Sequence, residues 1–254
     1  MFMGTASSFA ESLQRHTVEV GTEISHITYD EPGVMEEKGV MSGLFGSYAY
    51  HNNYMLRAEG RFSYGQVDYN GKLSNGTPYT INSIDDYILE FRGLGGYDFP
   101  ILTTTILMPY IGFGYRYLND DSSFDPAGYE RESNYLYSPI GIEIITPFKN
   151  GWSIGFTFEY DYFWKGVQKS HLSDVNPSFN DVENDQNDGY GLRGSVEFQK
   201  KGDKVDYLIE PFIRYWNIDR SENANITYAG TLWGYGWEPE NDSTEIGVKL
   251  GVGF

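Results

Sequence analysis

The chain has no cysteine, which rules out a disulfide framework and any thiolate metal centre. No stretch approaches the roughly 18 consecutive apolar residues that a membrane-crossing helix needs. Basic residues are scarce, 18 Lys and Arg against 36 Asp and Glu, and the formal net charge is -18. That balance argues against nucleic acid as a partner, because phosphate binding relies on basic side chains. There is no Gly-x-Ser-x-Gly nucleophile elbow, and no glycine-rich phosphate loop between a strand and a helix. In place of these the 254 residues are rich in glycine (30), tyrosine (22) and phenylalanine (16), a mixture suited to strands and tight turns.

Reading for a period of two finds ten segments. They cover residues 17–29, 40–50, 54–64, 87–92, 107–117, 136–144, 152–162, 190–198, 207–215 and 244–254. The last is the clearest: Thr244, Ile246, Val248, Leu250, Val252 and Phe254 alternate with Glu245, Gly247, Lys249, Gly251 and Gly253. In the second, Met41 and Phe45 fall on the face otherwise occupied by Gly43, Ser47 and Ala49. The connections alternate long and short, with long ones at 30–38, 66–86, 118–134, 165–189 and 217–243. An even strand count with this alternation predicts an all-β fold, a ten-stranded antiparallel transmembrane β-barrel with its apolar faces toward lipid. Tyr48, Tyr50, Tyr115, Tyr117, Trp152, Tyr160, Tyr162 and Tyr215 sit near segment ends, where interfacial girdles belong. The competing fold is a soluble all-β barrel or sandwich, which would turn the aliphatic faces inward.

Residues 1–10 read as the end of a secretory leader, with Ser8-Phe9-Ala10 as the small-x-small cleavage site. The barrel domain is then 11–254, and an ordinary N-terminal tail is the alternative. The phrases Pro109-Tyr-Ile-Gly-Phe-Gly-Tyr-Arg-Tyr117 and Ser138-Pro-Ile-Gly-Ile-Glu143, with the terminal Phe254, resemble small bacterial outer-membrane β-barrel proteins of the opacity and porin-like kind. The resemblance covers residues 17–254. It implies a bacterial outer-membrane location with lipid around the wall, and the barrel-assembly machinery as a partner in biogenesis. The long loops are then extracellular and both termini periplasmic.

By this phasing the lumen carries Glu19, Glu23, Glu59, Glu90, Glu143, Glu159, Asp161, Glu197, Glu210 and Glu245 against Arg57, Arg61, Arg92, Arg116, Arg193, Arg214 and Lys249. Ten strands enclose little free bore, so these charges are expected to pair and fill the interior. A narrow cation-preferring path between imperfectly paired charges is the alternative. The five long loops carry a net -16 of the total charge. Within them Asp181, Glu183, Asp185 and Asp188 are weak candidates for a divalent cation, lacking the turn glycine of an EF-hand. Otherwise no cofactor is expected. Tyr228, Leu232, Trp233, Tyr235 and Trp237 in the last long loop could anchor an unidentified surface ligand, as an adhesin or receptor would.

Ten-stranded surface barrels include the omptin proteases, whose chemistry resembles an Asp/His-assisted attack by water. Asp85-Asp86 invites that comparison. Only four histidines exist, His16, His26, His51 and His171, and none stands in an Asp-x-His arrangement. Asp85-Asp86 is therefore expected to be a solvated strand start and the chain to be non-enzymatic, with an omptin-like protease as the remote alternative.

Overall fold

The computed structural model describes residues 15–254 apart from Ser74 and Thr103, so the leader assignment for residues 1–10 lies outside the described residues. Its strands in chain order are β1 (His16–Glu31), β2 (Met35–Asn52), β3 (Tyr54–Lys72), β4 (Pro78–Tyr97) and the short β5 (Phe99–Pro100). There follow β6 (Ile106–Asp121), β7 (Glu130–Pro147), β8 (Trp152–Ser170), the short β9 (Val182–Gln186), β10 (Gly189–Lys200) and β11 (Asp206–Ile218). The chain ends with the hairpin β12 (Ala224–Tyr228) and β13 (Thr231–Gly236), and with β14 (Asn241–Gly253). Ten of these pair antiparallel with their neighbours around a closed ring, in the order β1, β2, β3, β4, β6, β7, β8, β10, β11, β14. Each of the ten segments expected from the sequence lies on one ring strand.

The faces follow the expected phasing. Leu44, Phe113 and Phe158 point outward and are 62 %, 67 % and 60 % exposed, whereas Glu23, Glu90 and Glu245 point inward and are buried. Met41 and Phe45, which break the outward apolar pattern of β2, are lumenal: Met41 is buried, and Phe45 lies under the Lys249 ammonium at 5.3 Å. The outward apolar band is bounded at the short-turn end by His16, Tyr48, Tyr54, Tyr97 and Phe99. At the long-loop end Tyr87 meets Tyr117 at 5.6 Å and Tyr162 meets Trp164 at 5.1 Å. Amphipathic rings at both rims of an apolar belt match an interfacial girdle.

Several strands are much longer than their sequence signal. The expected loop at 66–86 is largely strand, because β3 runs on to Lys72 and β4 begins at Pro78. A tilted strand crosses hydrocarbon with about 9–11 residues, so the 16 to 20 residues of β1–β4 and β6–β8 carry the wall beyond the girdle. By contrast β10, β11 and β14 have only 12 or 13 residues. Over this lower side fold β9, paired to the end of β8, and the loop bearing the β12–β13 hairpin.

Two glycines of the motifs quoted above let tyrosine rings cross the inner wall. A Cβ on Gly114 would lie 2.2 Å from the Tyr137 ring, and one on Gly141 would lie 2.4 Å from the Tyr110 ring. Gly114 pairs with Tyr137 and Gly141 with Tyr110 across the β6–β7 ladder. Glycine there removes the side chain over which the neighbouring ring is laid, and the tyrosyl hydroxyls reach acids of the lumen as a result.

Candidate functional site

The lumen is filled in layers. Nearest the short turns is an open vestibule of about 740 Å³, with Glu19, Arg57, Glu143 and Glu197 in its lining. Above it the strands direct guanidinium and carboxylate groups at one another from opposite walls. Arg61 of β3 donates to Glu90 at 2.7 Å, to Glu245 at 2.9 Å and to Glu23 at 3.1 Å. Arg214 of β11 meets the same Glu23 and Glu245 at 2.8 and 3.1 Å. Arg193 of β10 joins Glu90 at 2.5 Å, Asp161 at 2.6 Å and Glu159 at 3.2 Å. Toward the vestibule the network continues through Arg92 with Glu159 and Glu59, Arg57 with Glu143, and Lys249 with Glu210. Tyr137 donates to Glu90 at 2.6 Å and Tyr110 to Glu159 at 2.7 Å, using the hydroxyls positioned over Gly114 and Gly141.

These contacts bring together fourteen of the seventeen lumenal charges expected to interact, and Glu19, Glu197 and Arg116 stand outside the ion pairs among the described residues. Glu197 stands among Glu19, Glu143 and Glu210 in the lumen, and among the described residues it has no ion pair. Arg116 is a correction to the network reading. It is buried, its Nε and Nη2 donate to no partner among the described residues, and its guanidinium lies over the Tyr135 ring at 5.5 Å. Its register neighbour Tyr135 takes the inward place that an acid would need to occupy.

Beyond the charge layer the lumen turns apolar. Tyr135, Tyr137, Phe163, Trp216 and Ile218 pack into one buried cluster, with Trp216 edge-on to Tyr137 at 5.0 Å. A second cluster holds Ile27, Met41, Val67, Ile81, Ile84, Ile88 and Leu118. Ile81 and Ile84 fall in the long connection expected at 66–86 and Ile88 in the segment 87–92, so a period of two does not announce this plug as a unit.

A further polar cap sits over the plug at the long-loop end. Arg131 bonds Glu31 at 2.7 Å and also Glu238, and Tyr29 donates to Glu238 at 3.1 Å. Burial drives the Glu238 carboxyl up to about 7 despite Arg131, with Glu31 adding to the rise. Tyr129 also faces this cap. The protonated form is thus favoured in the folded state, so the contribution of Glu238 is complete below its ordinary value near 4.5 and is lost as pH rises through 7. Protection of residues 236–241 against hydrogen exchange, corrected for intrinsic rates, should fall as pH rises across that window. Glu238→Gln should flatten the dependence.

Asp85 and Asp86 part company, correcting the expectation of a solvated pair. Asp85 points outward and accepts from Tyr64 at 2.7 Å and Gln66 at 3.0 Å. Asp86 is buried in the lumen beside Asp120, its register partner, and near Glu37. Burial first, and then the neighbouring Asp120 and Glu37, push the Asp86 carboxyl well above the usual carboxylate range. None of the four histidines joins them among the described residues. His16 bonds Tyr48 and His51 bonds Asp98, both near the short turns; His26 faces outward; His171 is held by Glu132 and Asp181.

The four loop acids do not form one cation site. Asp181 accepts from Ser173 and lies by His171, Asp185 pairs with Lys165 at 3.0 Å, and Glu183 is exposed on β9. The backbone carbonyl of Asp188 accepts from Asp219. Alternation along β9 separates them: Val182, Asn184 and Gln186 turn inward while Glu183 and Asp185 turn out. The aromatic loop residues do assemble. Trp233, Tyr235, Leu232, Trp237 and Tyr228 are all exposed on or beside the β12–β13 hairpin, and Phe179 braces Tyr228 and Trp233 at 5.2 and 5.5 Å.

Comparison with solved structures finds the fold again at low identity. The outer membrane protease OmpT from Escherichia coli aligns over 96 % of this chain and 100 % of its own, with a TM-score of 0.60 and 10 % identity. The translocator domain of the autotransporter NalP from Neisseria meningitidis has a TM-score of 0.46 and 12 % identity, over 98 % of this chain and 91 % of its own. The outer membrane protein OprG from Pseudomonas aeruginosa has 0.36 and 13 %, over 94 % and 95 %. The likeness to OmpT, at 10 % identity, bears on fold alone. A search of curated proteins finds no relative by sequence. The model of the outer membrane protein beta-barrel domain matches residues 1–186. With a closed ten-stranded barrel girdled by aromatic rings, the chain belongs to the outer membrane protein β-barrel domain family.

Proposed function

We propose that the protein is a non-enzymatic structural surface barrel with a sealed lumen, its long loops extracellular and both termini periplasmic. The observation that carries this reading is the buried layer of Arg61, Arg193, Arg214, Glu23, Glu90 and Glu245, backed by the Tyr137–Trp216 aromatic layer. An ion crossing the lumen would have to part several paired, desolvated charges and then displace a close-packed apolar plug, each step costly. Above the vestibule a smaller cavity of about 130 Å³ reaches Arg61, Glu90, Arg193 and Arg214, and the buried aromatic layer lies beyond them. The non-enzymatic reading is supported by the company Asp86 keeps: acids, with no histidine to act as a base.

Refolded barrel in a planar bilayer with a KCl gradient is expected to give no discrete conductance steps at moderate voltage. Reproducible cation-selective steps that weaken on Glu90→Gln or Glu143→Gln would overturn the sealed reading in favour of a porin-like narrow channel. The exposed aromatic hairpin favours a second role, binding of a surface ligand as an adhesin or receptor. That role would require attachment to be lost on Trp233→Ala and Trp237→Ala while the barrel remains folded.

A further inference from the structure

Three side chains outside the lumen converge at the long-loop end. Glu130 and Glu132 flank Arg131 on β7, so strand alternation sends Arg131 into the lumen and both glutamates to the outer wall. His171 begins the loop after β8 and is tied to β7 by its backbone N–H, which donates to the Glu130 carbonyl at 2.9 Å. Its Nε2 lies 2.7 Å from Glu132 Oε1 and 4.0 Å from Glu130 Oε2. One donor atom from each residue falls within 4.8 Å of the others.

What distinguishes this trio from a chance group of acids is the fate of the remaining donor atoms. Glu130 Oε1 accepts from Asn119 Nδ2 at 2.6 Å, and Glu132 Oε2 accepts from the Tyr117 hydroxyl at 2.9 Å. His171 Nδ1 faces Asp181 Oδ2 at 3.4 Å, and Asp181 is itself held by the Ser173 N–H and hydroxyl. Each residue is thus oriented through one atom by a neighbour while its other atom points to a common centre. Such outer partners, a carboxylate behind the imidazole above all, are the usual supports of a metal ligand.

We propose that Glu130, Glu132 and His171 bind a divalent transition metal of the zinc class, oriented by Asn119, Tyr117 and Asp181. One imidazole nitrogen with two carboxylate oxygens suits zinc better than calcium, which prefers six or more oxygens. Donors about 2.0–2.1 Å from a tetrahedral metal stand roughly 3.4 Å apart, and the 2.7 and 4.0 Å separations bracket that value. Lys169, 3.5 Å from Glu132 Oε1, is the cation that the metal would displace.

The metal would clip the 171–181 loop to the β6–β7 wall. That loop carries the aromatic hairpin: Asn180 accepts from the Thr227 N–H, and the Ala229 N–H donates to the Ser178 carbonyl at 2.8 Å. Titrating the full chain in detergent micelles with ZnCl2 by calorimetry should reveal one saturable site that His171→Ala abolishes. Asp181→Asn should weaken it by about 10–100-fold, whereas His26→Ala should leave it unchanged. Zinc should also slow hydrogen exchange in residues 171–181 and 225–229. If His171→Ala does not fold, Glu132→Gln serves in its place. Absence of a stoichiometric zinc site, unchanged binding in the folded variants, or preference for CaCl2 over ZnCl2 would overturn the proposal.

Discussion

Arg61→Ala is expected to lower the unfolding free energy of the barrel by about 3–5 kcal/mol, the range for breaking a buried ion pair by removing one partner. Arg61 is shared by three acids from three other strands, Glu23, Glu90 and Glu245. Without it Glu23 and Glu245 retain Arg214, and Glu90 retains Arg193, but each keeps negative charge in a desolvated interior. The loss should be read from urea unfolding of the protein in lipid vesicles, followed by tryptophan fluorescence. Adding Glu245→Gln to Arg61→Ala should recover part of it, since one unpaired charge is removed with its partner. A loss below about 1 kcal/mol, the scale of a solvated surface pair, would mean that water enters this layer freely and that the lumen is not sealed there.

Trp216→Ala should cost a similar amount, about 3–5 kcal/mol, for a different reason. Truncating a large buried aromatic forfeits its transfer free energy and leaves a cavity that surrounding groups fill only partly. Trp216 touches Tyr135 at 5.7 Å and Tyr137 at 5.0 Å between ring centroids, and the Arg193 guanidinium lies over it at 5.7 Å. Its loss therefore loosens the aromatic layer and the arginine that links Glu90 to Asp161. Trp216→Phe should retain most of the stability. The same unfolding experiment reads both variants, and an unchanged midpoint for Trp216→Ala would show that the plug does not support the barrel.

The ring strands and their faces were legible because hydrocarbon outside and charge inside impose opposite demands on alternate residues. Val248 and Lys249 cannot exchange places without exposing one to the wrong solvent. Beyond the girdle water bathes the outer wall, so residues such as Gln66, Asp68 and Asp85 can face outward, the contrast fades, and these strand ends read as loop. For the same reason the lumenal place of Ile84, within the connection expected at 66–86, is not legible from the pattern. Phase places Arg116 on the lumenal wall, but phase says which wall a residue lines and not what faces it, here Tyr135. Glu132 and His171 are 39 positions apart, and only the register of β7 against β8 brings them together. A short local motif could not have announced them.

The closure of the ring bears on how the molecule comes to exist. β1 and β14 pair without a break from Glu19 with Gly253 to Asp30 with Asp242, and Val18 and Phe254 exchange backbone hydrogen bonds in both directions. Every other ring contact joins strands that follow one another around the barrel, whereas this seam joins the two ends of the described chain. It cannot form until the last strand has been made, and until then both edges offer unpaired N–H and C=O groups to any passing strand. Contacts of such long sequence separation are slow to form. Assembly is therefore a race between ring closure and aggregation, and once the seam has zipped the ring of ten strands has no free edge from which unravelling can start.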